Sequence, residues 1–468
     1  MGKCLEYGSA NRPSGFVDQR GEGGSGYVVG IGMAWTRQTP GEIERLFSAQ
    51  RAADPFGVRL HLFFGCAYVF LAAWPTTWVD WAGLCLLVCF AVRMLTHHRI
   101  LGPLWWDPVA RLTMALVVWA TLSGLWSKGN WQGWAADAGS MRYAAAIALL
   151  FPVMDRRGVL LACLLAGFAC GELSQLAHAL SVWSGRPLML FNRDPARLSG
   201  WWDPVVGGSR LCGALGVSLG LALARESPGG IGERGWGRLR VAARVMVVTT
   251  AAAIVATGTR GAWIGAAGLL VVAACAAGWR WRARLGEGAG ARLVVAGLAA
   301  VALAAAAVAL SPGLRARVEA GHREVAGVLE KREYRTDTGM RLAMWGWAGR
   351  AVAESPIVGV GAGGYRPFAE GYAARKPDAA ALPMPHAHAH SWYLHTLATL
   401  GVVGAGLMLA MVVTGVVRAH PAVWLGVAGL ALAGLFDTMH VNQQTANLLF
   451  ILLAMGARMG PGPVSRKR

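Results

Sequence analysis

The densest run of reactive side chains is Pro385-His386-Ala387-His388-Ala389-His390-Ser391-Trp392-Tyr393-Leu394-His395, three imidazoles at alternate positions and a fourth five residues on. An imidazole titrates near about pH 6.5, so at neutral pH it can take a proton from an attacking hydroxyl, and His390 is the candidate general base. On an extended strand, side chains two apart face the same way, so His386, His388 and His390 could instead bind a metal. No acidic or Cys cluster adjoins them in the sequence, and a site without metal is expected. His395 falls on another face of the helix that follows and is expected to be structural.

Three arginines far apart in the chain, Arg197, Arg260 and Arg341, are the second set of candidates. A guanidinium presents a fixed fork to phosphate oxygens, and three converging from separate loops would clamp a polyanion. Any one of them could equally snorkel at a membrane interface. Arg186, Arg193 and Arg210 lie near Arg197 and are weaker candidates. The run Gly359-Val360-Gly361-Ala362-Gly363-Gly364 lacks the preceding strand and following Lys of a nucleotide cradle, so its glycines are expected to make a tight turn beside the site. Glu172 is the one acid near the middle of an apolar run, expected either to line a cavity or to bond to a neighbouring helix.

The elements that must carry these groups are apolar helices. The 468 residues are 55% hydrophobic and only 15% charged, with a mean hydropathy of +0.43. Uncharged runs long enough to cross a hydrocarbon core of about 30 Å recur along almost the whole chain. The net charge of +19 lies in the gaps between these runs rather than on one face, so no nucleic-acid partner is expected. Seven of the eight cysteines (66, 85, 89, 163, 170, 212 and 275) lie inside apolar runs, with no disulfide framework and no CxxC pair.

The expected fold is all-α and polytopic, with spans near 57–75, 78–95, 108–126, 141–153, 158–183, 205–224, 240–258, 260–279, 291–311, 391–418, 420–437 and 443–457. Twelve spans put both termini on one side. The short loops 155–157, 225–240 and 280–292, Arg418 and the tail ending Arg466-Lys467-Arg468 are basic, which makes that side cytoplasmic. Residues 1–56 are then a cytoplasmic, largely disordered segment without an apolar signal core, disordered over 1–32, and Met33 is a candidate start. Nine spans follow over 57–311, a periplasmic loop domain over 312–390, three spans over 391–457 and a basic cytoplasmic tail over 458–468. The loop has helical composition over 315–332 and 340–353, and a loop of such length with its own helices is usually functional. The outer side holds the loop 184–204, the turn 257–260 and the long loop, and with them every candidate named above except Glu172 and Arg210.

From His390 the sequence runs His-Ser, nine residues, Gly401-Val402-Val403-Gly404. This resembles the signature of the O-antigen ligase and polymerase family: His, then Asn, Ser or Gln, nine residues, Gly, two residues, and a small or aromatic residue. Three further pieces follow that family's pattern in order. They are Arg197-Leu198-Ser199-Gly200 with Asp203-Pro204, where relatives tend to have Asn-Pro-Asn; Gly258-Thr259-Arg260-Gly261-Ala262-Trp263; and Arg341, four residues before Trp345, with Ser355-Pro356-Ile357-Val358-Gly359-Val360-Gly361. The resemblance covers about 190–405; the first third matches in hydropathy alone.

What the resemblance implies is a bacterial inner-membrane glycosyltransferase with a periplasmic site and no cofactor. His390 would activate the acceptor hydroxyl, while Arg197, Arg260 and Arg341 hold an undecaprenyl-diphosphate-linked O-antigen donor, with Gly361 and His388 also at the substrate. Transfer to a lipid A-core acceptor would make it an O-antigen ligase, by inverting, metal-independent transfer. Extension of the lipid-linked chain would make it a polymerase, and a protein O-oligosaccharyltransferase belongs to the same circle. A lipid-linked glycan transporter would show repeated halves or interrupted spans in matching positions, and neither is evident.

Overall fold

The computed structural model describes residues 40–186, 197–285, 312–375 and 382–456. The expected span 291–311, the segment 1–32 with Met33, Arg193 and the tail 458–468 lie outside them. The described residues form helices and no strand: α1 Pro40–Ala53, α2 Pro55–Leu71, α3 Thr76–His97, α4 Pro108–Leu122, α5 Trp131–Gly139, α6 Ala146–Leu150, α7 Arg157–Trp183, α8 Pro204–Leu223, α9 Glu233–Ala256, α10 Arg260–Leu285, α11 Pro312–Lys331, α12 Asp337–Glu354, α13 Tyr365–Ala374, α14 Trp392–Arg418, α15 Pro421–Ala433 and α16 Gln443–Gly456.

Among the described residues seven helical stretches are long and apolar enough to cross a membrane, and α2 and α15 are shorter apolar helices. The chain is therefore a multi-pass membrane protein whose spans are less uniform than the hydropathy predicts. The expected span 141–153 is the clearest departure: it is two 3-10 stretches, Ser140–Ala145 and Phe151–Arg156, around the five-residue α6. Pro152 has no N–H to continue the ladder, and Val153 leaves helical geometry at φ −124°. Buried in protein on both sides, such irregular backbone is tolerated at membrane depth.

Helices α8 and α15 form the centre. Almost every side chain of α8 is buried. A Cβ on Gly216 would run into the Leu425 carbonyl of α15, and one on Gly429 into the Cys212 carbonyl of α8, so small residues set the close approach of the pair. Arg210 of α8 is wholly buried beside them. It donates to the Ala72 carbonyl and, at 2.7 Å, to Gln444 Oε1, and its guanidinium lies 5.5 Å from the Trp202 ring. It is a structural cation. Glu172 on α7 accepts from Thr250 of α9, the second of the two outcomes expected for it.

The helices α11, α12 and α13 occupy the long loop, and α12 stops at Glu354, just before Ser355-Pro356. Their own small core joins Met344, Trp347, Tyr365 and Ala369 to Ala389 and Ala398 at the start of α14.

A candidate active site on one cationic cavity

The segment 356–361 and helix α14 are clasped together by backbone. Gly401, with φ +64°, breaks α14 from within. The carbonyls this frees are taken up elsewhere: Ala398 by Val360 N–H at 2.8 Å, Thr399 by Gly361 N–H at 2.9 Å and Leu400 by Trp119 Nε1–H at 3.0 Å. In return Val402 N–H donates to the Pro356 carbonyl at 2.9 Å. A Cβ at Gly401 would overlap the Ile357 carbonyl, so only glycine permits both the kink and the contact. Two motifs that look independent in the sequence, the Ser355–Gly361 run and the Gly401 of the His-Ser signature, are therefore one structural unit.

That unit positions His390. Trp392 N–H donates to the Gly434 carbonyl at 2.7 Å, docking the start of α14 on the loop 434–442. His390 itself has φ +47°, a left-handed conformation that costs a non-glycine residue on the order of 1–3 kcal/mol. Strain of this kind persists where the surroundings over-determine it, and here it aims the ring into a cavity.

The cavity holds about 390 Å³ and is lined by Arg197, Arg260, Arg341, His386 and His390, with Arg317 and Asp337 from the long loop. Val205, Ile264, Val325, Trp345 and Phe436 form its apolar wall. Arg197 is steered by the turn between α9 and α10: its Nη2 donates to Thr259 Oγ1 at 3.2 Å, while Thr259 Oγ1 donates to the Pro204 carbonyl at 2.8 Å. Arg260 follows directly as the first residue of α10. Its Nη2 is 2.9 Å from Glu324 Oε2 of α11. Arg341 rises from the first turns of α12, whose N-cap Thr336 accepts from Gly339 N–H at 3.1 Å.

The electrostatics show that these groups share one space. Burial lowers the Arg341 pKa, Asp437 and Asp337 oppose that, and the guanidinium groups of Arg260 and Arg197 add to it. Burial, then His388 and Arg341, pull His390 down to about 3, and burial takes His388 to about 4. Both imidazoles are neutral at ordinary pH. His390 is thus free to accept a proton, but is a weak base until the positive field beside it is offset.

Of the six residues expected at the substrate, the cavity brings together four: Arg197, Arg260, Arg341 and His390. His388 does not line it; its ring packs behind His390 with centroids 4.5 Å apart. Gly361 does not line it either, because its turn, at φ +84°, is closed against Ser123 and Ser127. Arg186 is exposed at the end of α7 and is not among the lining residues.

Two participants escape a reading of the sequence. Arg317 sits on α11 with no motif around it. Asp437, in the loop after α15, is an acid that packing and not sequence proximity brings to the histidines: His388, His390 and Asp437 offer donor atoms within 4.8 Å of one another. Asp437 is 4% exposed and accepts from Ser209 Oγ at 3.1 Å and Thr438 N–H at 2.8 Å. Burial raises its pKa, and Arg341 counters that. The trio could hold a divalent ion, but the guanidinium of Arg341 already supplies a cation to both His390 and Asp437. We read the trio as a base beside a carboxylate.

A multi-pass membrane protein with a half-apolar cavity ringed by guanidinium groups and one strained imidazole is suited to act on an anionic lipid headgroup. Residues 245–409 match the family model described as O-antigen ligase, a likeness that supports the O-antigen ligase and polymerase resemblance. The match includes Arg260, Arg341, His390 and Gly401; Arg197 lies before it. No curated protein was found to match the chain.

Proposed function

We propose that the chain is an O-antigen ligase of the bacterial inner membrane, with its site facing the periplasm. It would transfer a glycan from undecaprenyl diphosphate to a sugar hydroxyl of lipid A-core. The observation that carries this reading is the meeting of Arg197, Arg260, Arg341 and His390 on one cavity with an apolar wall. The guanidinium groups would hold the diphosphate and the wall the first isoprene units.

Diphosphate is a good leaving group, so the reaction needs charge stabilisation and a base for the incoming alcohol, but no acid. The acceptor oxygen attacks the anomeric carbon as the bond to phosphate breaks, its proton passes to His390, and the configuration inverts. The bound diphosphate offsets the field of Arg341 and makes His390 a stronger base when it is needed. No metal is required in this scheme.

The test is a deletion strain. Loss of a ligase leaves bare core, with long glycan retained on the lipid carrier, and restoration by the wild-type gene but not by His390→Ala at equal abundance supports the reading. Core bearing a single repeat would instead make the protein a polymerase. A normal ladder with His390→Ala would end the assignment of the base.

A further inference from the structure

Behind the cavity lies a file of imidazoles that transfer to an acceptor does not by itself explain. The ring of His388 is 4.5 Å from His390 and 6.4 Å from His395, and that of His395 is 5.9 Å from His440. His395 is fully buried, and neither ring nitrogen has a partner within normal hydrogen-bond length. A buried polar group left unmatched costs free energy, which a purely structural residue at this position would be expected to avoid. The nearest charge is Asp137 of α5, whose Oδ2 lies 3.7 Å from His395 Nε2. Asp137 is 8% exposed and accepts from Gly363 N–H at 2.7 Å. The basic side chain beside it is this imidazole and not a guanidinium.

Resting on the transferase reading, we propose that Asp137 is a positioning residue for the reaction. Its carboxylate orients His395 and, through His395 and His388, balances the positive charge that appears on the imidazole file when His390 takes the proton of the acceptor. The charges facing the file make this division of labour. Arg341 and His386 line the cavity with His390, Asp437 offers an oxygen within 4.8 Å of the His388 and His390 nitrogens, and His440 flanks His395. Asp437 serves the His390 and His388 end beside Arg341, and Asp137 is the carboxylate at the His395 end. The acceptor O–H bond breaks as its oxygen bonds to the anomeric carbon, the electron pair of the C–O bond leaves with the diphosphate, and the proton stays on the file until solvent takes it.

The competing reading is that Asp137 only ties down the glycine turn at Gly363. Asp137→Asn separates the two, because an amide oxygen still accepts from Gly363 N–H while the charge is gone. In purified full-length protein with lipid-diphosphate glycan as donor, we expect Asp137→Asn to lower kcat by about tenfold or more with KM for the donor unchanged, and Asp137→Glu to recover part of it. His395→Gln reads the same path at its middle and should lower kcat alike, and the double variant should be no worse than the worse single one. A wild-type kcat in Asp137→Asn, or in His395→Gln should the first variant not fold, overturns the proposal. Failure of the wild-type protein to transfer glycan at all would instead overturn the transferase reading.

Discussion

Arg260, which lines the cavity, is ion-paired with Glu324 of α11, Nη2 to Oε2 at 2.9 Å, and the same carboxylate oxygen accepts from Thr338 N–H at 3.0 Å. Gly321, one turn earlier on α11, lets the guanidinium lie flat along that helix, since a Cβ there would meet Arg260 Nη1. On the proposed reading, Glu324 competes with the donor diphosphate for Arg260. Burial would raise its pKa, but the bonds from Thr338 and Arg260 hold it below the usual range, so it is an anion beside Arg260.

Glu324→Gln keeps the bond to Thr338 and removes the competing charge. A half-exposed ion pair is worth up to about 1 kcal/mol, so KM for the donor should fall by up to about fivefold with kcat little changed. Titration of donor in a transfer assay reads this, and a raised KM would show that Glu324 helps binding.

Arg341→Lys keeps a positive charge but loses the fork. With about 1.5–3 kcal/mol attached to a charge-assisted bond, kcat/KM should drop about 10- to 100-fold. Full activity in the lysine variant would reduce Arg341 to a point charge.

Only the neutral imidazole of His390 can take a proton, so protonation inactivates. Burial, His388 and Arg341 pull its pKa down to about 3 in the free protein. Activity at limiting donor should therefore persist as pH falls through about 6.5 and fail only near the lowered value. A bound diphosphate offsets Arg341 and raises His390, so the acid limb of kcat should lie above that of kcat/KM. Rates at limiting and saturating donor from about pH 2.5 to about pH 8 check this, and coincident limbs would contradict it.

His388, His390 and Asp437 together invite a metal test. Transfer by purified protein should survive a strong chelator. Collapse of activity, restored by one particular divalent ion, would convert the trio into a metal centre and displace His390 from its role as base.

What could be read from the sequence follows a physical division. Arg197, Arg260, Arg341 and His390 each sit in a local pattern, and the alternation of basic and apolar segments places them on one side of the membrane, so their meeting could be foreseen. Asp437, Arg317 and Asp137 stand alone on elements with no spacing relation to His390, and only tertiary packing brings them close. The left-handed backbone of His390 and the broken stretch around Pro152 have the same origin, because both are set by neighbours and not by local preference.

The turn after α9 has a consequence for how this protein can vary. Thr257 and Thr259 supply the groups that hold Arg197, and the next residue is Arg260, so two of the cavity's cations hang from a single bend of chain. Lengthening or shortening that bend by one residue would move both at once. If the cavity takes a glycan donor as proposed, a change of glycan is easier to accommodate on α11 and α12, whose side chains can change one by one while that bend stays as it is.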